Sequence, residues 1–216
     1  MMLINPFMVA PAIPAIPAST KILMPFTTAS GFTDVANGHA ITVLGTPSIS
    51  TVQSKFGAGA LLVNTTTDYL RIAATPTLNF SGNKVFTIEL WVYTTTYTGD
   101  TILSTRNASV YSPFLIGQQR SLIGNASLDT WTFLTAAIPL NQWVHVALVM
   151  DGTNIKEYVN GVKTGATVTH PSWPSSNGFL NIGNDVSGSF AGYINDLRIS
   201  DVAVYTANFT PPTSPF

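Results

Sequence analysis

The fold is decided by one stretch of the chain, Trp143–Val162, which reads WVHVALVMDGTNIKEYVNGV. A first apolar and aromatic run ends at Asp151-Gly152, and a shorter second run ends at Asn160-Gly161. Asp-Gly and Asn-Gly are dipeptides that accept positive φ at both central positions of a tight hairpin turn. The stretch therefore predicts three successive antiparallel strands, a pattern typical of an all-β sandwich.

Further strand patterns recur on both sides of this stretch. Phe86–Thr94 alternates apolar residues with Thr87, Glu89, Trp91 and Tyr93, which is the period of a strand. The predicted strands are Lys21–Phe26, His39–Leu44, Ala60–Asn64, Tyr69–Ile72, Phe86–Thr94, Thr101–Ser104, Tyr111–Ile116, Ser121–Ile123, Trp131–Thr135, Trp143–Met150, Ile155–Val159, Val162–Thr164, Leu180–Ile182 and Ala191–Ser200. Because no convincing helix interrupts them, they predict one two-sheet antiparallel sandwich over residues 21–209.

The composition excludes several classes of protein. Only 9% of the residues are charged and 45% are hydrophobic, with a mean hydropathy of +0.29, whereas about 25% charged residues is usual. A net charge of −1 with scattered Lys and Arg argues against nucleic-acid binding. The absence of cysteine excludes disulfides and thiolate metal sites.

Membrane and export signals are also missing from the sequence. No stretch reaches the roughly 18 apolar residues that a membrane-spanning helix needs. The first ten residues are apolar but lack a basic region, and prolines at 6, 11, 14 and 17 break any helix there. The sequence therefore predicts neither a membrane partner nor a signal peptide.

Two extended arms are predicted to flank the sandwich. Residues 1–20 contain Pro-Ala-Ile repeated with period three, which is the period of polyproline II. Because so many of their side chains are apolar, we expect this arm to lie on a neighbouring subunit or partner rather than in solvent. The predicted assembly contacts are Phe7, Met8, Val9, Pro11, Ile13, Pro14, Ile16 and Pro17. Residues 210–216 predict a shorter extended tail.

An ordered set of motifs resembles the laminin-G-like branch of the concanavalin A-like jelly rolls. The motifs are Lys55–Leu61, Asp68–Leu70, Phe86–Val92, Trp143–Ala147, Tyr158–Gly161, Leu180–Gly183 and Gly188–Ser200. The resemblance implies a jelly-roll sandwich of two antiparallel sheets. In that sandwich we expect Trp91 and Trp143 to fill the space between the sheets. Asp196 and Arg198 are expected to pair with each other or to bond to a neighbouring strand.

The ends of the chain carry a second resemblance. The ending Asp201–Pro211 and the start Asn5-Pro6-Phe7 are similar to those of structural proteins of tailed bacteriophages. This implies a non-enzymatic virion protein that decorates or cements the capsid or associates with the tail, after assembly in the host cytoplasm. Its partners would be phage capsid or tail proteins and copies of itself, with a trimer as the expected assembly.

No catalytic constellation is found in the sequence. Glycoside hydrolysis needs two carboxylates about 5–10 Å apart, but Glu89 shares its face with Thr87 and Trp91, and the only other glutamate is Glu157. None of the three histidines accompanies a Gly-x-Ser-x-Gly elbow. We therefore predict no enzymatic activity and no catalytic residue.

The alternative to a virion role is a carbohydrate-binding module or adhesin. In residues 170–177, prolines flank Trp173, which could present its ring as a stacking platform, with Asn177 as a hydrogen-bonding partner of the glycan. The other interpretation, that Trp173 tucks against the sandwich edge or a neighbouring subunit, stays open.

Calcium is the metal that the laminin-G resemblance implies. Family members often carry one ion at the rim of the sandwich, and Asp34 and Asn37 are the candidate ligands here. Family members whose first strand ends in Phe-Asp have an acid that this chain replaces by Thr27. We therefore predict that no cofactor or metal is bound.

The arm hypothesis makes a direct prediction. Deletion of residues 2–18 is expected to reduce the oligomer to smaller species and to abolish binding to phage particles, because the apolar contacts between neighbours are removed. Size-exclusion chromatography with light scattering and a particle-binding assay measure both effects. Unchanged oligomerisation and particle binding would contradict the hypothesis.

Overall fold

The computed structural model describes residues 15–80, 84–97, 99–106, 114–125, 130–134, 137–169, 178–185 and 188–216. The strands in these residues are β1 Thr20–Met24, β2 Ile41–Leu44, β3 Ser48–Ser50, β4 Ala60–Val63, β5 Tyr69–Ile72, β6 Val85–Tyr93, β7 Thr101–Ser104, β8 Phe114–Gly117, β9 Ser121–Asn125, β10 Thr130–Leu134, β11 Trp143–Asp151, β12 Asn154–Val159, β13 Val162–Thr169, β14 Leu180–Ile182 and β15 Gly192–Ser200. A 3-10 turn, Pro76–Leu78, precedes β6. Among the described residues, no helix is long and apolar enough to cross a bilayer.

The strands form two antiparallel sheets, which confirms the predicted all-β sandwich. Sheet A has the order β13-β12-β11-β6-β15-β4-β3, and β1 pairs with the second half of β15. Sheet B has the order β10-β9-β8-β7-β14-β5-β2. The long strands β6 and β11 pair in register over their whole length, from Trp143 opposite Tyr93 to Asp151 opposite Val85.

Each predicted strand overlaps an observed one, but several ends differ, and the predicted Val162–Thr164 covers only the first three residues of β13. Tyr69–Ile72, Thr101–Ser104 and Leu180–Ile182 coincide with β5, β7 and β14. Strand β3 was not predicted, because Ser-Ile-Ser is too short and too polar to show a period. The predicted residues 111–113 and 135 lie outside the described residues.

The hairpin turns explain why the opening stretch folds as it does. Asn160 and Gly161 have φ of +49° and +76° and join Val159 directly to its partner Val162, as a two-residue hairpin requires. In the first turn only Gly152 has positive φ, at +90°.

Asp151 supports that first turn with its side chain. Its Oδ1 accepts hydrogen bonds from the backbone N–H groups of Thr153 and Asn154, at 3.0 and 2.7 Å. A side-chain oxygen thus replaces part of the backbone turn, which is a common use of aspartate.

The hydrophobic core lies between the two sheets. Strand β6 contributes Phe86, Ile88, Leu90 and Val92, and other strands contribute residues that include Ile22, Leu61, Leu70, Ile102, Phe114, Val144, Val146, Leu148, Ile182, Ile194 and Ile199. Trp91 and Trp143 do not belong to this core. They lie on the opposite face of sheet A, so the prediction that they fill the space between the sheets is wrong. The alternation of β6 and β11 places them with the outward-facing residues.

Strand β13 forms an edge of sheet A and is mostly exposed. Its pairing with β12 is irregular, because Ile155 faces Val168 while Glu157 faces Thr164. Gly165, inside this irregularity, has a φ of +56°.

Gly161 provides a test of how the end of the chain packs on the second hairpin. A Cβ at this position would lie 1.9 Å from the carbonyl oxygen of Phe209, and its φ of +76° disfavours any other residue. We expect Gly161→Ala to lower the free energy of unfolding by at least about 2–3 kcal/mol, which combines backbone strain with the clash. Denaturant titration measures the change.

Gly31→Ala is the matched control for this variant. Gly31 also has positive φ, at +56°, but a Cβ there would meet no atom within 4 Å. It should therefore lose only the cost of the backbone strain, about 1 kcal/mol. An equal decrease in the free energy of unfolding in Gly161→Ala and Gly31→Ala would show that the contact with Phe209 does not contribute to the effect.

Candidate functional site

The outer face of sheet A, which points away from the core, carries four rows of side chains across β11, β6 and β15. The rows follow from the strand register and the period-two alternation. In chain order along β6 they contain Thr87 with Val149 and Ser200, Glu89 with Ala147 and Arg198, Trp91 with His145 and Asn195, and Tyr93 with Trp143 and Tyr193.

Residues 201–216 cover the first two rows. The Thr87 hydroxyl donates to the carbonyl of Val202 at 2.8 Å and accepts from the N–H of Val204 at 2.9 Å. Tyr205 and Phe209 stack on each other with ring centroids 3.5 Å apart and pack on the apolar residues Ala147, Val149 and Tyr158. This segment has no helix or strand of its own, yet it buries the middle of the face.

Glu89 is the charged centre of the covered region. Its Oε1 accepts hydrogen bonds from Nε and Nη2 of Arg198, at 2.9 and 2.6 Å. Its Oε2 accepts one from the hydroxyl of Tyr205 at 2.7 Å and lies 3.2 Å from Nε2 of His145. Burial alone would raise the pKa of Glu89, but the hydrogen bond with His145 and the Arg198 charge bring it below its ordinary value. Burial and the Glu89 charge raise the pKa of Tyr205.

Arg198 and Asp196 do not form the direct pair that was one of the two expectations. A bulge between Asn195 and Arg198 gives Asp196 a φ of +57°, and Arg198 bonds to Glu89 on the neighbouring strand. Asp196 instead accepts the N–H of Phe216 at 3.0 Å, and burial raises its pKa to about 6. The Phe216 ring lies 3.9 Å from the Arg198 guanidinium carbon.

The third row is covered by the loop that precedes β4. Lys55 places its Nζ 3.9 Å from the ring centroid of Trp91, and Phe56 packs edge-on against the same ring at 5.8 Å. Oδ1 of Asn195 accepts the backbone N–H groups of both loop residues, at 3.2 and 2.8 Å. Trp91 is therefore buried although it points away from the core.

The fourth row, which we call the aromatic row, consists of Tyr93, Trp143 and Tyr193. All three side chains are partly exposed, unlike the buried Glu89 and Trp91 beside them. The ring centroid of Tyr93 lies 5.8 Å from that of Trp143 and 6.1 Å from that of Tyr193. Three neighbouring rings that share one face are an arrangement suited to stacking against a ligand.

A cleft of about 190 Å³ adjoins the aromatic row. Its lining residues are Leu62, Val63, Asn64, Tyr93, Thr94, Thr95, Thr96, Ala191, Gly192 and Tyr193. A Cβ at Gly192 would lie 2.4 Å from the Tyr93 carbonyl oxygen and 2.6 Å from the Phe190 ring, so only glycine allows the backbone to approach there. The row and cleft together offer apolar rings beside hydroxyl and amide groups.

These three aromatic residues were not predicted to be site residues. Trp143 was expected in the core, and no role was predicted for Tyr93 or Tyr193. For Tyr93 a signal was present in the alternation of Phe86–Thr94, which separates Tyr93 and Trp91 from the apolar set. Their exposure could not be derived from that alternation, because distant segments decide which rows are covered.

The predicted glycan contacts Trp173 and Asn177 lie outside the described residues, as do His170 and the arm residues Phe7, Met8, Val9, Pro11, Ile13 and Pro14. Of the predicted arm contacts, Ile16 and Pro17 are described. Both are exposed, and they lead into β1.

The side chains of both candidate calcium ligands form hydrogen bonds with other parts of the chain. Asp34 is buried and accepts hydrogen bonds from the backbone N–H groups of Leu23, Ala36 and His39, with His39 Nδ1 2.6 Å from its Oδ2. Burial by itself would raise the pKa of Asp34, but these hydrogen bonds outweigh it and bring the pKa below its ordinary value. Asn37 donates its amide to the carbonyl of Lys21 at 2.8 Å. Among the described residues, no three His, Cys, Asp or Glu side chains gather as a metal site would require.

The two glutamates lie on opposite faces of sheet A. Glu89 points outward, whereas Glu157 points between the sheets on the same side as Ile155. Glu157 accepts hydrogen bonds from the hydroxyl of Ser121 on sheet B and from that of Thr164, at 3.1 Å for the latter. Burial raises the pKa of Glu157 to about 7, although the two hydroxyls oppose the shift.

A larger cavity of about 490 Å³ lies at the other end of β6, beside Val85 and Phe86. Lys21 and Lys84 line it, but Lys21 forms an ion pair with Asp201 at 2.9 Å and Lys84 donates to the carbonyl of Asn79. These contacts hold both ammonium groups, so the cavity offers less for recognition than the aromatic row does.

Comparisons with known proteins agree with the jelly-roll topology. The sequence profile of the Concanavalin A-like lectin/glucanases superfamily matches residues 64–208. No curated protein matches the chain in sequence.

Solved structures share the fold at low sequence identity. Domain 4 of AbnA, a GH43 extracellular arabinanase from Geobacillus stearothermophilus solved in complex with arabinotriose, superposes with a TM-score of 0.66 at 20% identity, over 87% of this chain and 94% of that one. The binding domain of Paraclostridial Mosquitocidal Protein 1 gives 0.68 at 12%, over 87% of this chain and 50% of that one. The botulinum neurotoxin serotype D binding domain gives 0.67 at 10%, over 87% and 48%. The chain spans about half the length of these two toxin domains.

Glu157 generates a prediction about pH. Because its pKa is raised to about 7 in the folded protein from 4.5, the folded state retains a proton that the unfolded chain releases as pH rises above about 4.5. Stability should therefore fall between about pH 4.5 and 7, by about 3 kcal/mol from this group. Glu157→Gln should remove most of that loss, as measured by denaturant titration at several pH values.

Asp196→Asn serves as the comparison variant. In the parent protein the pKa of Asp196 is raised from 3.8 to about 6. Asp196 therefore also lowers stability as pH rises, but over a lower and narrower pH range than Glu157 does. An identical pH dependence in Glu157→Gln and the parent protein would show that Glu157 is not protonated in the fold.

Proposed function

This chain belongs to the Concanavalin A-like lectin/glucanases superfamily, and we propose that it is a non-catalytic carbohydrate-binding domain. The glycan binds on the aromatic row and in the adjoining cleft. The observation that carries this proposal is the partial exposure of Tyr93, Trp143 and Tyr193, whereas the other three rows across β11, β6 and β15 are covered.

The chemistry of the row suits a sugar. A sugar ring presents C–H groups on its faces and hydroxyls around its edge, so it can stack on an aromatic ring while its edge forms hydrogen bonds. Asn64, Thr95 and Thr96 in the cleft supply an amide and two hydroxyls beside the rings. Ligand sites commonly combine an apolar lining with a few polar groups in this way.

The structural neighbours support the same class of function. The arabinanase domain was solved with arabinotriose, and the toxin domains are described as binding domains. A sandwich of this topology thus serves recognition in other proteins, although the site must be argued from this chain's own residues.

The placement of the acids favours binding without hydrolysis. Glu89 is neutralised by Arg198 beneath residues 201–216, and Glu157 faces the core. A glycosidase needs two Asp or Glu carboxylates on either side of one bond. The two glutamates are separated by the sheet itself, and Asp196, whose carboxyl is influenced by the Glu89 charge, is buried as Glu89 is.

A virion structural role is the second candidate function. The small charged fraction of the chain and the exposed side chain of Ile16, which is 39% accessible beside β1, favour a protein contact there. Assembly with phage capsid or tail proteins, trimer formation and a virion location stay predictions. The two functions are compatible, because the arm and the aromatic row involve different residues.

The binding proposal is tested by glycan-array screening of the purified chain, followed by calorimetry on the ligands found. Trp143→Ala and Tyr93→Ala should each weaken binding by about tenfold or more, since each removes a stacking ring. Unfolding curves confirm that the fold persists.

Trp173→Ala separates the two candidate glycan sites. Binding that survives Trp173→Ala but not Trp143→Ala places the glycan on the aromatic row, and the reverse places it on the predicted loop of residues 170–177. A chain that binds no glycan on the array contradicts the proposed function.

A further inference from the structure

The chemical class of the glycan can be narrowed from the charge and shape of the aromatic row. The lining of the adjoining cleft contains hydroxyl, amide, aromatic and aliphatic groups, and none of its described residues is Asp, Glu, Lys, Arg or His. A carboxylated or sulfated sugar would lose its hydration there without gaining an ion pair, which is unfavourable.

Lys55 is a charged side chain in the loop that covers the row next to the aromatic row. Its ammonium is held over the Trp91 ring, 3.9 Å from the centroid, and its backbone is held by Asn195. The cation–π contact directs this charge toward the covered third row.

The relative tilt of the rings gives the shape of the ligand. The ring planes of Tyr93 and Trp143 are inclined by 56°, and those of Tyr93 and Tyr193 by 76°. Binding to the flat surface of a crystalline polymer requires aromatic rings that lie in one plane. The inclined rings of this row can each stack on a sugar only if successive sugars are rotated relative to one another. One ring per strand also spaces the contacts along a line across β11, β6 and β15.

We infer that the aromatic row binds an uncharged, soluble oligosaccharide whose successive sugars twist across the three strands, and that it rejects acidic glycans and flat crystalline polymers. This inference rests on the proposed carbohydrate-binding function. Beyond that function, it specifies that the ligand is uncharged, is soluble and contains at least two to three sugars.

The test uses calorimetry on the full chain with neutral mono-, di- and trisaccharides of arabinose, glucose and galactose. Each neutral galactose oligomer is matched by the corresponding galacturonate oligomer. Affinity should rise by about tenfold or more from the monosaccharide to the trisaccharide, and each acidic counterpart should bind about tenfold or more weakly. Binding should be insensitive to salt, because no ion pair is made. Sedimentation with crystalline cellulose should leave the protein in solution.

Two variants sharpen the test. Tyr193→Ala, at one end of the row, should remove most of the gain in affinity from the monosaccharide to the trisaccharide. Lys55→Met, the matched control in the loop that covers the neighbouring row, should leave the affinity for neutral oligomers unchanged. Stronger or salt-dependent binding of galacturonate oligomers, or loss of binding in Lys55→Met, overturns the inference but leaves the proposed function in place. Absence of binding to every glycan overturns the proposed function and this inference with it.

Discussion

The buried carboxylate of Glu89 is the constraint around which the outer face of sheet A is organised. A charge in that position needs compensation, and it comes from three parts of the chain: Arg198 on β15, His145 on β11 and Tyr205 in the final segment. Removing one partner of such a buried pair typically costs about 3–5 kcal/mol, because the other charge is left uncompensated. The same network therefore joins three strands and fastens residues 201–216 over them.

This fastening determines which part of the face is available to a ligand. Residues 201–216 cover the rows of Thr87 and Glu89, and the loop held by Asn195 covers the row of Trp91. Only the last row, at the end of β6, keeps its aromatic rings partly exposed. The candidate site is thus what remains of a large face after two distant segments have packed on it.

The sequence was sufficient for the fold and insufficient for the site. Local signals specify the strands: the Asn160-Gly161 turn and the alternation in Phe86–Thr94 act over a few residues, and the structure reproduces both. The position of Trp143 was predicted wrongly because its size suggested the core, while its parity on β11 placed it outside. Exposure depends on contacts such as that between Tyr205 and Glu89, which are 116 residues apart in the chain. No local pattern reports such a contact.

The irregular edge strand β13 has a consequence for how copies of the protein behave in concentrated solution. A regular exposed edge presents unpaired backbone groups on which another chain can add a strand, which is a common beginning of aggregation. Here the ladder is interrupted where Ile155 pairs with Val168 and Glu157 with Thr164, and Gly165 turns the backbone to positive φ within the interruption. The edge therefore lacks the straight, continuous template that an incoming strand requires. A chain with so few charges has little electrostatic repulsion between copies, and this distortion of β13 supplies a steric form of protection in its place.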